Sequence, residues 1–371
     1  MRVLFDYRPA LRQRTGAGEY AHELARALLA AFPPGASEAD LELLLFSSSW
    51  KDRLVLPEGE LAGATTIDRR VPVSVLNHAW HRFGWPPAEL LTGRRVDVTH
   101  SLHPLILPAR KAAHVVTIHD LYFLAHPERT HAEIRRDYPA LVRAHACRAD
   151  RIIVPSRFTA REIERQLGVG GDRISVCAPG APDWAPRQAP PPDRGYVLFF
   201  GTLEPRKNVG GLLDAYEQLI ATRKVPPLVL AGRAAEGSQP WLDRIARAPL
   251  AGVVRHVGYV EPSERQALYA GARLLVQPSF DEGFGLPVLE AMTLGVPVVA
   301  ANRGSLPEVL GDAGPLVDPE APDELASAIA RMLDDEAYAA VCAAKGPLRA
   351  RHFRWDLTAR HVYDTYRQAI A

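Results

Sequence analysis

Two glutamates, Glu282 and Glu290, stand with seven residues between them in the stretch FDEGFGLPVLEAM, residues 280–292. Gly283, Phe284, Gly285 and Leu286 follow the first glutamate at a turn that leads into a helix, with Pro287 in its first turn. Consecutive backbone N–H groups at such a turn point at an anion or a hydroxyl, and glycine lets a ligand approach closely. A carboxylate accepts hydrogen bonds from two sugar or ribose hydroxyls at once. Two carboxylates astride one helix start can therefore hold two polyols with phosphates between them. Taken singly, Glu282 reads equally as a loop residue and Glu290 as a solvated helix residue. Against that, Val288, Leu289, Ala291 and Met292 surround Glu290, which predicts a buried carboxylate in need of a partner.

A second stretch, GTLEPRKN from Gly201 to Asn208, follows the strand-like YVLFF. Arg206 and Lys207 fall at a strand-to-helix turn, where the helix dipole favours a diphosphate. Arginine grips it bidentately and lysine adds a point charge, which stabilises a departing nucleoside diphosphate without a metal. A solvated basic turn is the plainer reading. RTGAGEY, with Gly16 and Gly18, could be a phosphate-approach loop or a simple turn, and it lacks the GxGxxG spacing. TIHDL sets His119 and Asp120 at a carboxyl strand end, a place suited to ligand contact, although a lone histidine is more often a satisfied structural residue. No Asp-x-Asp, GxSxG or GxxxxGK[ST] occurs, so a divalent-metal clamp of the first kind is not expected.

Something must position these residues. Short apolar runs alternate with helical patterns, which predicts α/β architecture with parallel sheets. Strands are expected near Arg2–Asp6, Leu41–Phe46, Val96–His100, Ala113–Ile118, Arg151–Val154 and Arg173–Cys177, with helices over Glu19–Ala31, His131–Ala149 and Ser156–Leu167. Ser156 reads as an N-cap. The proline cluster in Ala181–Gly195 reads as a semi-rigid linker. Beyond it, strands are expected at Tyr196–Phe200, Leu228–Ala231, Val253–Val257, Arg273–Gln277, Val296–Ala300 and Pro315–Val317, a helix from about Asn208, and a last helix at Trp355–Ala369. Two domains follow, 1–185 and 186–354, a division consistent with 371 residues. Two such domains leave a cleft between their strand ends.

Composition narrows the class. The chain is 47% hydrophobic and 23% charged with a net charge of +1, which fits a globular enzyme and argues against nucleic acid as a partner. The three cysteines, Cys147, Cys177 and Cys342, have no CxxC or metal-ligand spacing, so a reducing compartment and no metal site are expected, with Cys147 and Cys177 in the core. No leader and no apolar run of ~20 residues is read, so the expected location is cytoplasmic.

GTLEPRKN, DEGFGLPVLEAM and ANRGSLPEVLGDAGPLVDP, preceded in order by RTGAGEY, HAWHRFGWPP, THSLHPLILP, VVTIHDLYFLAHPE and RADRIIVPSRFTAREI, resemble the retaining glycosyltransferases of family GT4 over nearly the whole chain. The resemblance implies the GT-B fold, two Rossmann-like domains facing across a cleft, the first binding acceptor and the second the nucleotide-sugar, with the C-terminal helix (355–371) crossing back onto the first. It implies that Glu282 contacts the donor sugar, aided by N–H groups of Phe284, Gly285 and Leu286, and that Glu290 holds the ribose hydroxyls. Arg206 and Lys207 match the basic pair on the diphosphate, beside Gly201 and Gly283. His119 matches a histidine near the transferred sugar, and Gly16 and Gly18 a glycine loop near phosphate and acceptor. RTGAGEY departs from common forms in lacking a branched residue between its glycines and in carrying Glu19 where a basic residue is frequent.

The resemblance also implies retention of anomeric configuration without an enzyme nucleophile. The pattern is most similar to mannosyl- and rhamnosyltransferase members of bacterial polysaccharide assembly. The implied partners are a nucleotide-sugar co-substrate, expected to be GDP-mannose or a deoxy relative, and a glycan or lipid-linked glycan acceptor, with no cofactor. A UDP-sugar is the main rival, and a non-transferase GT-B enzyme such as a nucleotide-sugar epimerase is another. In Asn77–Pro87, NHAWHRFGWPP, Trp80 is expected in the core. The remainder, if exposed, suits an acceptor or a membrane surface, so peripheral contact with the inner face of the cell membrane stays open.

Overall fold

Continuous apolar runs such as RVLFD and YVLFF suit strands covered on both faces, and they form the middles of two parallel sheets. The computed structural model describes residues 1–11, 14–33, 41–56, 59–126, 138–188 and 195–371. It has two compact units, Met1–Gly180 with Arg354–Ala371, and Ala181–Phe353. The break falls at the start of the proline-rich stretch, ahead of the 185/186 boundary read from sequence; residues 189–194 of that stretch lie outside the described residues.

In the first unit the elements run β1 (Arg2–Asp6), α1 (Gly16–Ala31), β2 (Glu42–Ser48), β3 (Thr65–Arg69), α2 (Val73–Phe83), α3 (Ala88–Thr92), β4 (Val98–Ser101), β5 (Ala113–Thr117), α4 (Tyr122–Ala125), α5 (Tyr138–Arg148), β6 (Arg151–Val154), α6 (Arg157–Leu167) and β7 (Ile174–Val176). The sheet order is β3-β2-β1-β4-β5-β6-β7, with every pairing parallel. β3, absent from the sequence reading, is a half-buried edge strand, TTIDR, without an apolar run to announce it. The first part of the helix expected over His131–Ala149 lies outside the described residues up to 137. Ser156 caps α6, its hydroxyl accepting from the Thr159 N–H at 3.1 Å.

The second unit runs β8 (Tyr196–Phe200), α7 (Val209–Thr222), β9 (Leu228–Ala231), α8 (Gln239–Ile245), β10 (Val254–Gly258), α9 (Pro262–Ala270), β11 (Ala272–Gln277), α10 (Leu286–Thr293), β12 (Val298–Ala301), α11 (Leu306–Leu310), β13 (Leu316–Val317), α12 (Pro322–Asp334) and α13 (Glu336–Ala350). Its parallel sheet has the order β10-β9-β8-β11-β12-β13. Both sheets build outward from a first strand, β1 or β8, and then cross back to its other side. Each therefore has a topological switch point, at β1/β4 and at β8/β11, where open α/β sheets bind ligands beyond the carboxyl strand ends.

The last helix, α14 (Trp355–Ile370), belongs to the first unit. Ala359, Val362 and Tyr366 join Phe5, Leu24 and Leu28 in its core. The Tyr366 hydroxyl lies 2.6 Å from His100 Nδ1, and Phe32 stacks on Tyr363 with centroids 4.1 Å apart. Cys177 is buried as expected, whereas Cys147 is exposed. On α5 the inward positions are Val142, His145 and Ala146, and one more residue turns Cys147 outward.

Gly16 and Gly18 do not form a loop, because α1 begins at Gly16. A Cβ on Gly18 would lie 2.5 Å from the Pro9 carbonyl oxygen, whereas one on Gly16 would meet nothing within 4 Å. Gly18 thus lets the first turn of α1 close against the 3-10 turn Arg8–Ala10. Gly18→Ala should lower stability by about 1–3 kcal/mol in urea titration, while Gly16→Ala should leave it within about 0.5 kcal/mol. Equal effects of the two would contradict this packing role.

Candidate active site

At the β8/β11 switch point, β11 ends at Gln277 and the chain continues through Ser279 to Glu282. A 3-10 turn, Pro205–Lys207, follows β8 and carries the two cations. Phe280 N–H donates to the Arg206 carbonyl at 2.9 Å, which ties the two segments together. Glu282 is 5% exposed. Its Oε1 accepts from Lys207 Nζ at 2.5 Å, Gln277 Nε2 at 2.9 Å and Ser279 Oγ at 2.8 Å. Its Oε2 has Arg206 Nη1 at 3.4 Å, and the Glu282 carbonyl accepts from both the N–H and the hydroxyl of Ser305. Burial alone would raise the Glu282 pKa, but Lys207 and Arg206 more than offset it and pull the carboxyl down to about 2. The group is a fixed anion whose Oε1 takes three donors and whose Oε2 takes one longer contact from Arg206.

Helix α10 starts just beyond, with Gly285 at its N-cap and a backbone φ of 103° that favours glycine. The N–H groups of Phe284, Gly285 and Leu286 donate to no acceptor among the described residues. Three adjacent donors at a helix start form an anion- or hydroxyl-binding edge. Glu290, one turn further along, is 8% exposed, as its apolar neighbours predict. Its partners come from α9: Arg265 Nη1 lies 3.7 Å from Glu290 Oε1. Burial first, and the Glu290 carboxylate second, push the Tyr269 phenol far above its ordinary value. Gly201 closes β8, and a Cβ there would contact the Lys207 side chain.

The first unit holds the remaining predicted residues. His119 follows β5, and its Nε2 is shielded without a partner. Burial lowers its pKa, more than nearby Asp120 and a backbone hydrogen bond at Leu102 raise it, so the ring is neutral at pH 7. It meets Tyr20 edge-on at 5.0 Å between centroids. In the segment 77–87, Trp80 is buried and its indole N–H donates to the Pro86 carbonyl, while Phe83 and Trp85 are 72% and 58% exposed. No group of three metal-ligating side chains occurs among the described residues, and no helix there is long and apolar enough to cross a membrane.

Residues 14–183 match the profile of Glycosyltransferase Family 4, and residues 181–349 that of Glycosyl transferases group 1. Along 99% of its length the chain is 32% identical to the whole of the O-antigen chain mannosyltransferase B of Escherichia coli. This chain belongs to the family 4 glycosyltransferases. It is also 34% identical, over 60% of the chain and 57% of the relative, to D-inositol 3-phosphate glycosyltransferase 2 of Catenulispora acidiphila. Its fold is that of the GT-B enzymes. Sucrose-phosphate synthase of Thermosynechococcus elongatus superposes with a TM-score of 0.77 at 21% identity, covering 99% of this chain and 98% of that one. Anabaena HepE, solved with UDP and glucose, gives 0.71 at 20%, covering 98% and 99%.

In this glycosyltransferase Lys207, expected on a diphosphate, is turned onto Glu282, and Arg206 is shared between Glu282 and Glu204, whose Oε1 lies 2.9 Å from Arg206 Nη2. Sequence reasoning missed Gln277, Ser279, Arg265 and Tyr269, which hold the two glutamates. Gln277 ends an apolar strand and is fully buried, a signal that could have singled it out. Lys207→Met removes the main counter-charge of a buried anion and should cost about 3–5 kcal/mol at pH 7 in urea titration. A depressed carboxyl contributes stability above its unfolded pKa of about 4.3 and loses it as pH falls toward the folded value. In the variant the pKa rises and Glu282 takes up a proton on acidification. The deficit against the parent should therefore shrink between pH 7 and pH 5; a pH-independent deficit would show that the ion pair is not its cause.

Proposed function

We propose that this glycosyltransferase moves a hexose, mannose or a deoxy relative, from a GDP-sugar to a hydroxyl of a glycan or lipid-linked glycan acceptor in polysaccharide assembly, with retention and without a metal. Full-length likeness to an O-antigen chain mannosyltransferase supports the hexose and the acceptor class. The observation that carries the chemistry is the meeting, at one switch point, of Lys207, Arg206 and Glu282 with the unpaired N–H groups of Phe284, Gly285 and Leu286.

In this reading the N–H edge and the two cations take the diphosphate, and Glu282 Oε2 accepts from a sugar hydroxyl. As the C1–O bond to the diphosphate lengthens, charge grows on oxygens already facing fixed donors. The acceptor hydroxyl attacks C1 from the departing side, and a diphosphate oxygen takes its proton. Glu282 is poorly suited to be a nucleophile, since Lys207, Arg206 and its hydrogen bonds draw on both oxygens and hold its basicity well below that of an ordinary carboxylate. Glu290 takes the ribose hydroxyls, steadied by Arg265. His119, neutral, is read as the histidine near the transferred sugar on the strength of its TIHDL motif. Peripheral contact with the inner face of the cell membrane belongs to the same reading, and exposed Phe83 and Trp85 beside Arg82 support it.

A thermal-shift panel of GDP, UDP, ADP and their sugars tests the donor. Ligand at a hundredfold excess over Kd adds about 2.7 kcal/mol to stability, so GDP and GDP-mannose should raise Tm selectively. An equal response to all nucleotides overturns the GDP assignment, and no response overturns the nucleotide-sugar reading. Glu290→Ala should weaken GDP binding about tenfold in calorimetry. In that variant 2′-deoxy-GDP and GDP should bind alike; retained discrimination would place the ribose elsewhere.

A further inference from the structure

Helix α13 carries apolar residues on two opposite faces, and only one of those faces is covered. On the inner side Cys342, Gly346 and Ala350 are buried. A Cβ on Gly346 would lie 3.0 Å from the Met292 carbonyl oxygen, so this side is seated directly on α10. The outer side presents Ala337, Val341, Ala344 and Leu348, all of them exposed, Val341 at 53% and Leu348 at 59%. Steps of four, three and four residues set these side chains in one line along the helix. A helix packed on one side ordinarily turns polar residues to water on the other, whereas α13 turns aliphatic ones.

Charge at the two ends of the line indicates what covers it. Glu336, in the first turn, and Arg351, just past the last, are both exposed, and the side chain of neither has an ion-pair or hydrogen-bond partner among the described residues. Both fall on the same flank of the line. A second copy of α13 laid antiparallel on the first would bring Glu336 of each copy to Arg351 of the other. The same arrangement matches sizes. Ala337 would lie against Leu348 and Val341 against Ala344, so each layer joins a small side chain to a larger one and the two helices approach closely. Laid parallel, the copies would set Glu336 on Glu336 and Arg351 on Arg351, and would stack Leu348 on Leu348.

We infer that this chain pairs with a second copy of itself through α13, in a two-fold symmetric homodimer whose helices run antiparallel. The interface lies wholly on the second unit and stands apart from the transferase reading. It is small. One helix of 15 residues from each copy covers less than the ~1,600 Å² of a standard interface. The dimer is therefore a weak one, with a Kd of about 10–100 µM.

Sedimentation-velocity ultracentrifugation of the full chain tests the pairing. Between about 2 and 300 µM the protein should pass from monomer to dimer. Val341→Glu and Leu348→Glu keep good helix propensity but set a charge in the line, and each should weaken association at least about tenfold. The melting temperature of the dilute monomer should stay that of the parent, because both side chains already meet water. Glu336→Arg and Arg351→Glu should each weaken the dimer about two- to tenfold, and the two together should restore the parent's affinity, since the exchange leaves every acid facing a base. A monomer at all concentrations would overturn the inference. So would a dimer indifferent to Val341→Glu and Leu348→Glu, or a double exchange no tighter than its single variants.

Discussion

The Lys207–Glu282 ion pair is the constraint around which the second unit's site is arranged. A carboxylate that is 5% exposed would lose its proton only with difficulty unless paired, yet here it is held ionised far below the usual range. To achieve this the chain brings the turn after β8 against the turn after β11, closes them with the Phe280–Arg206 backbone bond, and adds Gln277 and Ser279 on the same oxygen. The cost of burying two charges is offset by these hydrogen bonds, although the buried Gln277 Oε1 has no partner among the described residues. What remains is directional: a carboxylate oxygen with only Arg206 on it, at 3.4 Å, and a row of unpaired N–H groups at the start of α10.

Glu290 solves the same physical problem by different means. It lies in an apolar helix and depends on Arg265 and Tyr269 from the preceding helix. The two glutamates are therefore supported independently, one by residues at strand ends and the other by a neighbouring helix. Damage to either set of supports would act on one glutamate and spare the other.

Both sheets reverse direction once, and at each reversal the strand ends diverge and leave backbone and side chains free to meet a ligand. In each unit that place carries an ion pair where the strands themselves are apolar. The first unit differs in how its charge is spent. Asp6 and Arg8 satisfy one another, whereas Arg206 bridges Glu204 and Glu282 while Lys207 is given to Glu282 alone.

Sequence alone was enough for the alternation of strands and helices, the strand limits at Arg2–Asp6, Arg151–Val154, Tyr196–Phe200 and Leu228–Ala231, and the burial of Glu290, because apolar runs and their spacing are local properties. The motif glutamates and the basic pair were legible for the same reason, as each sits in a short contiguous stretch. Edge strand β3 was not, since a half-buried strand needs no apolar run. Nor were Gln277, Arg265 and Tyr269, whose partners lie elsewhere in the chain, or the use of Gly18, which depends on where the Pro9 carbonyl comes to rest. Only tertiary structure decided that Lys207 faces Glu282, that Asn77 turns its oxygen to Arg8, and that Tyr366 reaches His100 across 266 positions of the sequence. Those contacts join residues far apart along the chain, and their geometry is set by how strands stack and helices cover them, which residue types by themselves do not encode.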